Sequence, residues 1–151
     1  MIGKMYTGSI GSEARTDAIT LMYLETGAAT INLIERMWIK QTNFDTSENL
    51  GLKVQRGTAP GTDTDIVLEP LQVGDVHGGT WGTNASIEPT ITADTEIIED
   101  GFNVLSGWLW TPASDDEVIE VTPASDVMVT LDVAPSTTMN FSYGMTVREL
   151  G

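Results

Sequence analysis

Asp126-Val127-Met128-Val129-Thr130-Leu131-Asp132-Val133 and Met139-Asn140-Phe141-Ser142-Tyr143-Gly144-Met145-Thr146-Val147-Arg148 decide the fold class. In the first run Val127, Val129, Leu131 and Val133 alternate with Met128, Thr130 and Asp132; in the second, Met139, Phe141, Tyr143, Met145 and Val147 alternate with Asn140, Ser142, Gly144, Thr146 and Arg148. A period of two puts every second side chain on one face of a pleated strand. Ala134-Pro135-Ser136-Thr137 turns the chain between the runs, so the two strands return antiparallel, with one face against a core.

Working outward, further strands are expected at Ala18 to Leu24, Thr30 to Gln41, Leu50 to Gln55, Ile66 to Leu68, Ala85 to Ile98 (an edge strand, because of Pro89), Glu96 to Val104, Trp108 to Trp110 and Val118 to Val121. For Ala18 to Leu24 a helix competes, and Thr16 and Thr20 favour strand. In Thr30 to Gln41, Leu33, Met37 and Ile39 share one parity and Ile34, Arg36, Trp38 and Lys40 the other, which suits a central strand with its second face turned to a partner. Asn43 to Ser47 reads as a turn, Arg56 to Asp65 as a loop carrying Gly57, Pro60 and Gly61, and Val73 to Thr83 as irregular. About eight to ten short strands punctuated in this way predict an all-β chain: an antiparallel two-sheet sandwich of jelly-roll type. Residues 1–16, small and polar with Ile2, Met5, Tyr6 and Ile10 interspersed, read as an extended N-terminal arm, and 17–151 as a single domain.

Composition narrows the function. The 151 residues carry 22 acidic and 7 basic side chains, a formal net charge of −15, which repels nucleic-acid phosphate and anionic membrane surfaces; neither is an expected partner. No stretch approaches the ~20 apolar residues of a membrane span, and the N-terminus lacks the apolar core of a secretory signal. Without cysteine there are no disulfides, thiolate metal sites or Cys nucleophiles.

Candidate chemistry is sparse. His77, in Gly74-Asp75-Val76-His77-Gly78-Gly79, has Asp75 as a conceivable orienting partner for acid–base work; with no second histidine and no nucleophile motif it reads as a loop side chain. Glu96, Glu99 and Asp100, then Asp115, Asp116 and Glu117, then Asp63 and Asp65, are acidic groups without the spaced ligands and glycine hinge of a calcium loop. No catalytic, cofactor-binding or metal-ligating residue is therefore assigned. Trp38, Trp81, Trp108 and Trp110 stand out in a chain that is only 7% aromatic. Trp108 and Trp110 share one side of a strand; they read as core, as anchors in a neighbouring subunit, or as a stacking platform for sugar.

In order along the chain, Tyr6-Thr7-Gly8-Ser9, Ile34-Glu35-Arg36-Met37-Trp38-Ile39-Lys40-Gln41, Leu50-Gly51-Leu52-Lys53-Val54-Gln55-Arg56-Gly57-Thr58, Glu69-Pro70-Leu71, Gly74-Asp75, Glu99-Asp100-Gly101-Phe102-Asn103-Val104, Trp110-Thr111-Pro112 and Arg148-Glu149-Leu150-Gly151 resemble the small β-sandwich proteins encoded beside the capsid genes of tailed bacteriophages. That family is taken to be jelly-roll cement, or head-decoration, proteins. The chain departs from it where Pro123-Ala124-Ser125-Asp126 replaces the usual Pro-Gly turn, and in its acidic excess.

The resemblance implies a non-enzymatic virion protein, made in the host cytoplasm, that sits on the outer capsid surface and clamps capsomers of the major capsid protein, with no cofactor and as a homotrimer. Met5, Tyr6 and Ile10 of the arm, together with Trp38, Trp108 and Trp110, are the residues placed at subunit interfaces. The alternative reading is a glycan-binding module of a phage tail or fibre, with Trp108 and Trp110 as its stacking surface.

Overall fold

The computed structural model describes residues 3–17, 20–43, 46–58, 64–66, 68–83 and 90–151, and these form twelve strands. They are β1 Lys4–Arg15, β2 Thr20–Glu25, β3 Ile31–Gln41, β4 Asn49–Thr58, β5 Thr64–Ile66, β6 Glu69–Pro70, β7 Thr80–Thr83, β8 Thr90–Asn103, β9 Trp108–Trp110, β10 Ile119–Val121, β11 Asp126–Leu131 and β12 Met139–Leu150. The one helical element among the described residues is a single 3-10 turn at Asp115–Glu117. β8 runs for 14 residues, across what was expected as two strands, and β1 and β12 for 12 each. The expectations at Ala18, Ile19, Phe44, Asp45, Pro60, Gly61, Asp63, Val67 and residues 85–89 lie outside the described residues.

Two six-stranded antiparallel sheets result: β6-β1-β12-β3 with β9 and β10 both on the far edge of β3, and β5-β7-β2-β11-β4-β8. Five of the pairings nest. β1 pairs β12, β2 pairs β11, β3 pairs β9 and β10, and β4 pairs β8, so first strand meets last and second meets penultimate. That is one long antiparallel ladder folded over itself, the strand order of a jelly roll. β5, β6 and β7 are an excursion between β4 and β8 that extends the sheet edges. β8 lies at an edge, as expected.

Alternation supplies the core. Val127, Val129 and Leu131 of β11, Met139, Phe141, Tyr143, Met145 and Val147 of β12, and Leu50, Leu52 and Val54 of β4 are all buried in one apolar cluster. Two details of β11 differ from the expected pattern. Val133 falls beyond the strand and is exposed, while Met128 is fully buried on the opposite face beside Gly57, in register with buried Tyr23 of β2.

Residues 4–15, expected as part of an extended arm, form β1, which pairs with β12 along its length and with β6 at Tyr6 and Thr7. Tyr6 is fully buried, and Gly8 behind it has Leu68 and Trp81 so close that a Cβ would stand 2.6 Å and 2.9 Å from them. The small residues that suggested a loose segment make room for large neighbours. In β3 a bulge at Glu35 (Arg36 opposite Thr146, Ile34 opposite Val147) turns both Ile34 and Met37 to the core, breaking the parity expected for that strand.

Candidate protein-docking surface

After the bulge, β3 carries Met37, Ile39 and Gln41 inward and Arg36, Trp38 and Lys40 outward. The Trp38 ring lies over Gly144 of β12: a Cβ there would come within 2.2 Å of the indole. Arg36 stacks above it, its Cζ 5.2 Å from the ring centroid. On the other flank Trp38 is in register with Leu109 of β9, which is 59% exposed. The chain enters β9 through a turn in which Ser106 and Gly107 donate their amides to the Asn103 carbonyl, at 3.1 and 2.9 Å. Gly107 has φ +76, a conformation open to glycine. Arg36, Trp38, Lys40, Gly107 and Leu109 thus frame a depression of about 240 Å³ on the outer face of the sheet. That is below the ~300–1,000 Å³ of pockets that bury a drug-sized ligand, and in scale with a side chain presented by another protein.

Charge singles out the same place. Lys4, Arg15, Lys53 and Arg148 each pair with carboxylates, and Arg56 donates to the Glu120 carbonyl. Among the described residues Arg36 and Lys40 have no such partner. In a chain of net charge −15, these two cations without a carboxylate partner flank one indole.

A second apolar feature sits across the sheet, after β6. Leu71, Val73 and Val76 are 60, 105 and 81% exposed, the three most exposed large apolar side chains among the described residues. The loop that carries them is firmly anchored. Leu71 donates its amide to the Met5 carbonyl, Asp75 pairs with Lys4 at 2.8 Å, Tyr6 Oη donates to the Val76 carbonyl, and Gly78 donates to Glu149. The loop therefore holds its polar groups inward and its apolar ones outward.

His77 belongs to that anchor. Its buried ring lies edge-on to Tyr6, and its Nε2 is 3.0 Å from Asn32 Oδ1. The Gly79 amide donates to Nδ1 at 3.0 Å. Asp75, its conceivable orienting partner, is engaged by Lys4 instead. Of the acidic groups, Asp100 takes the Trp108 Nε1–H at 2.9 Å and the Gly101 amide, and Asp115–Glu117 is the exposed 3-10 turn. Among the described residues no three His, Asp or Glu side chains converge as a cation would require. Asp63 and the Asp65 side chain lie outside them.

The interface residues read from the sequence scatter. Trp38 is at the surface depression and Met5 is half-buried on the outer face of β1, whereas Tyr6 is core and Ile10 and Trp110 are partly buried against it. Trp108 is 7% exposed, so Trp108 and Trp110 do share a side, but it is the inner one. The residues not anticipated were Leu109 and the loop's Leu71, Val73 and Val76. The same alternation that groups the two tryptophans leaves Leu109 alone on the outside. Comparison with protein-family models, with curated proteins and with solved structures finds no match for this chain.

Proposed function

We propose that this chain is a non-enzymatic structural protein of a tailed-phage virion, a cement or decoration protein that binds the outer capsid surface and clamps neighbouring capsomers. The observation that carries this reading is the outer face of the β6-β1-β12-β3 sheet. It presents a stacked Arg36–Trp38 pair, Lys40 and Leu109 around a depression scaled to a protein side chain. Elsewhere, groups of the kind that could do chemistry hold the scaffold together: His77 on Asn32, Asp75 on Lys4, Asp100 on Trp108.

A jelly roll stacks two sheets in a rigid wedge, and many copies attached through modest contacts give a strong hold on a lattice. The sugar-binding alternative draws no support from the tryptophan pair on which it was built, because Trp108 packs inward.

The test is a head preparation. The protein is expected to co-purify with capsids in symmetry-related copy number, to appear as density on the outer shell, and to leave empty heads fragile when stripped. A shell bare of it, with the protein in a few copies at the tail, would overturn the reading.

A further inference from the structure

We propose that the depression around Trp38 and Leu109 receives the Leu71–Val76 loop of a second copy of this chain. The inference rests on reading that face as a protein-docking surface, and names its occupant. Knob and hole lie at opposite edges of one sheet: the loop follows β6 at one edge, and the depression sits where β3 meets β9 at the other.

Three arguments select a second copy. First, the contact covers the three most exposed apolar side chains of the described structure together with Leu109, so one association removes from water the four most exposed of them. Second, the charges match. Glu69 stands exposed beside the loop, and Arg36 and Lys40 stand at the rim of the depression without carboxylate partners among the described residues. In copies that otherwise repel one another at −15 each, contact is favoured where cations of one face acids of the other. Third, the knob is preorganised. Lys4–Asp75, Tyr6–Val76 and His77–Asn32 fix the loop before any partner arrives, so little ordering cost remains for binding. Each copy carries one knob and one hole, and such complementary patches close either reciprocally between two copies or head-to-tail around a ring.

The test uses the full chain. Val73→Glu and Leu109→Glu change exposed side chains, so each variant should keep the circular dichroism and melting temperature of the parent. Native mass spectrometry and light scattering should show the parent assembled and each variant monomeric. Mixed one to one, the two variants should form a heterodimer that grows no further, because one copy retains a working hole and the other a working knob. A monomeric parent at every concentration, variants that stay assembled, or a mixture that stays monomeric would each overturn the pairing. Capsid binding of the same proteins separates this from the function itself. A parent that assembles but ignores heads sinks the cement reading alone; a monomeric parent that still binds heads sinks the knob-and-hole alone.

Discussion

The indole of Trp38 rests on Gly144 of the neighbouring strand so closely that no side chain can stand between them. A methyl at Gly144 would meet Trp38 at 2.2 Å and also the Gly8 carbonyl at 2.5 Å. Rotating the tryptophan away therefore does not make room. Gly144→Ala should cost about 1–3 kcal/mol in urea unfolding, as overpacking of a buried site does. It should also lift the ring from under Arg36, visible as a red-shifted, more quenchable tryptophan emission. An unchanged spectrum and midpoint would refute the packing described.

Ala124 is the one non-glycine residue at positive φ (56°) among the described residues. It follows Pro123 in a turn closed by Ser125 N–H to Thr122 O at 3.1 Å. Proline at the second position and positive φ at the third define a type II turn, which favours glycine where Ala124 stands. Left-handed backbone costs an L-residue roughly 1–2 kcal/mol, offset in part by the freedom glycine adds to the unfolded chain. Ala124→Gly should raise the melting temperature, by a gain on the order of 0.5–1 kcal/mol. A lower melting temperature would mean that the turn is not strained.

Much of the sheet framework was legible because period-two patterns report one buried face directly. β11 and β12 are read to within two residues from their alternation, and β4 from Leu50, Leu52 and Val54, although it runs on through residues 56–58, where a loop was expected. Two kinds of feature escaped. β1 was hidden because its inner row includes Gly8, small only so that Leu68 and Trp81 can approach, a contact no local pattern reveals. The parity of β3 was lost at Glu35, since a bulge shifts every later side chain to the other face. The candidate surface was half legible for a related reason. Alternation groups Trp108 with Trp110 and opposes them to Leu109, but which side faces the core is a long-range fact set by the facing sheet.

His77 is the keystone of the loop between β6 and β7. Its Nδ1 meets the Gly79 backbone and its Nε2 lies 3.0 Å from Asn32 Oδ1. His77→Ala strips Asn32 Oδ1 of this bond, at a cost of about 1–3 kcal/mol for a buried unsatisfied group. Limited proteolysis should then cut first near Val73 to Val76, while the rest of the sandwich stays protected. Cleavage elsewhere, or none, would argue against an anchoring role.

At the other end of β1, Arg15 is 3% exposed and binds both Glu13 (2.7 Å) and Tyr143 Oη (3.0 Å), while Tyr143 Oη also meets Glu13. A buried cation is tolerable only while paired. Arg15→Met leaves the Glu13 carboxylate beside a neutral phenol, and should cost about 3–5 kcal/mol in denaturant unfolding. Glu13→Gln with Arg15→Met removes both charges, and should recover a good part of that loss. If the double variant is no better than the single, the two charges are not coupled.

The same tyrosine is expected to shape the alkaline decline of stability. Burial, then the hydrogen bond to Glu13, pushes the Tyr143 phenol well above its ordinary 10.0, and burial, then the charge of Glu149, raises Tyr6 as well. Lys4, hydrogen-bonded to Asp75, and Lys53, facing Asp132 and Glu99, are raised from 10.5. Each group holds its proton more tightly folded than unfolded, so each contributes stability that is complete below its unfolded value. That contribution is lost as pH climbs through the folded one. Urea midpoints should accordingly be flat with respect to these groups at neutral pH and fall once pH passes about 10, near the unfolded tyrosine and lysine values. Tyr143→Phe lowers stability at neutral pH by removing the bonds to Arg15 and Glu13, yet it should flatten the alkaline decline, because the largest of the four proton linkages is gone. A variant that declines as steeply as the parent above pH of about 10 would show that Tyr143 ionises freely in the folded protein.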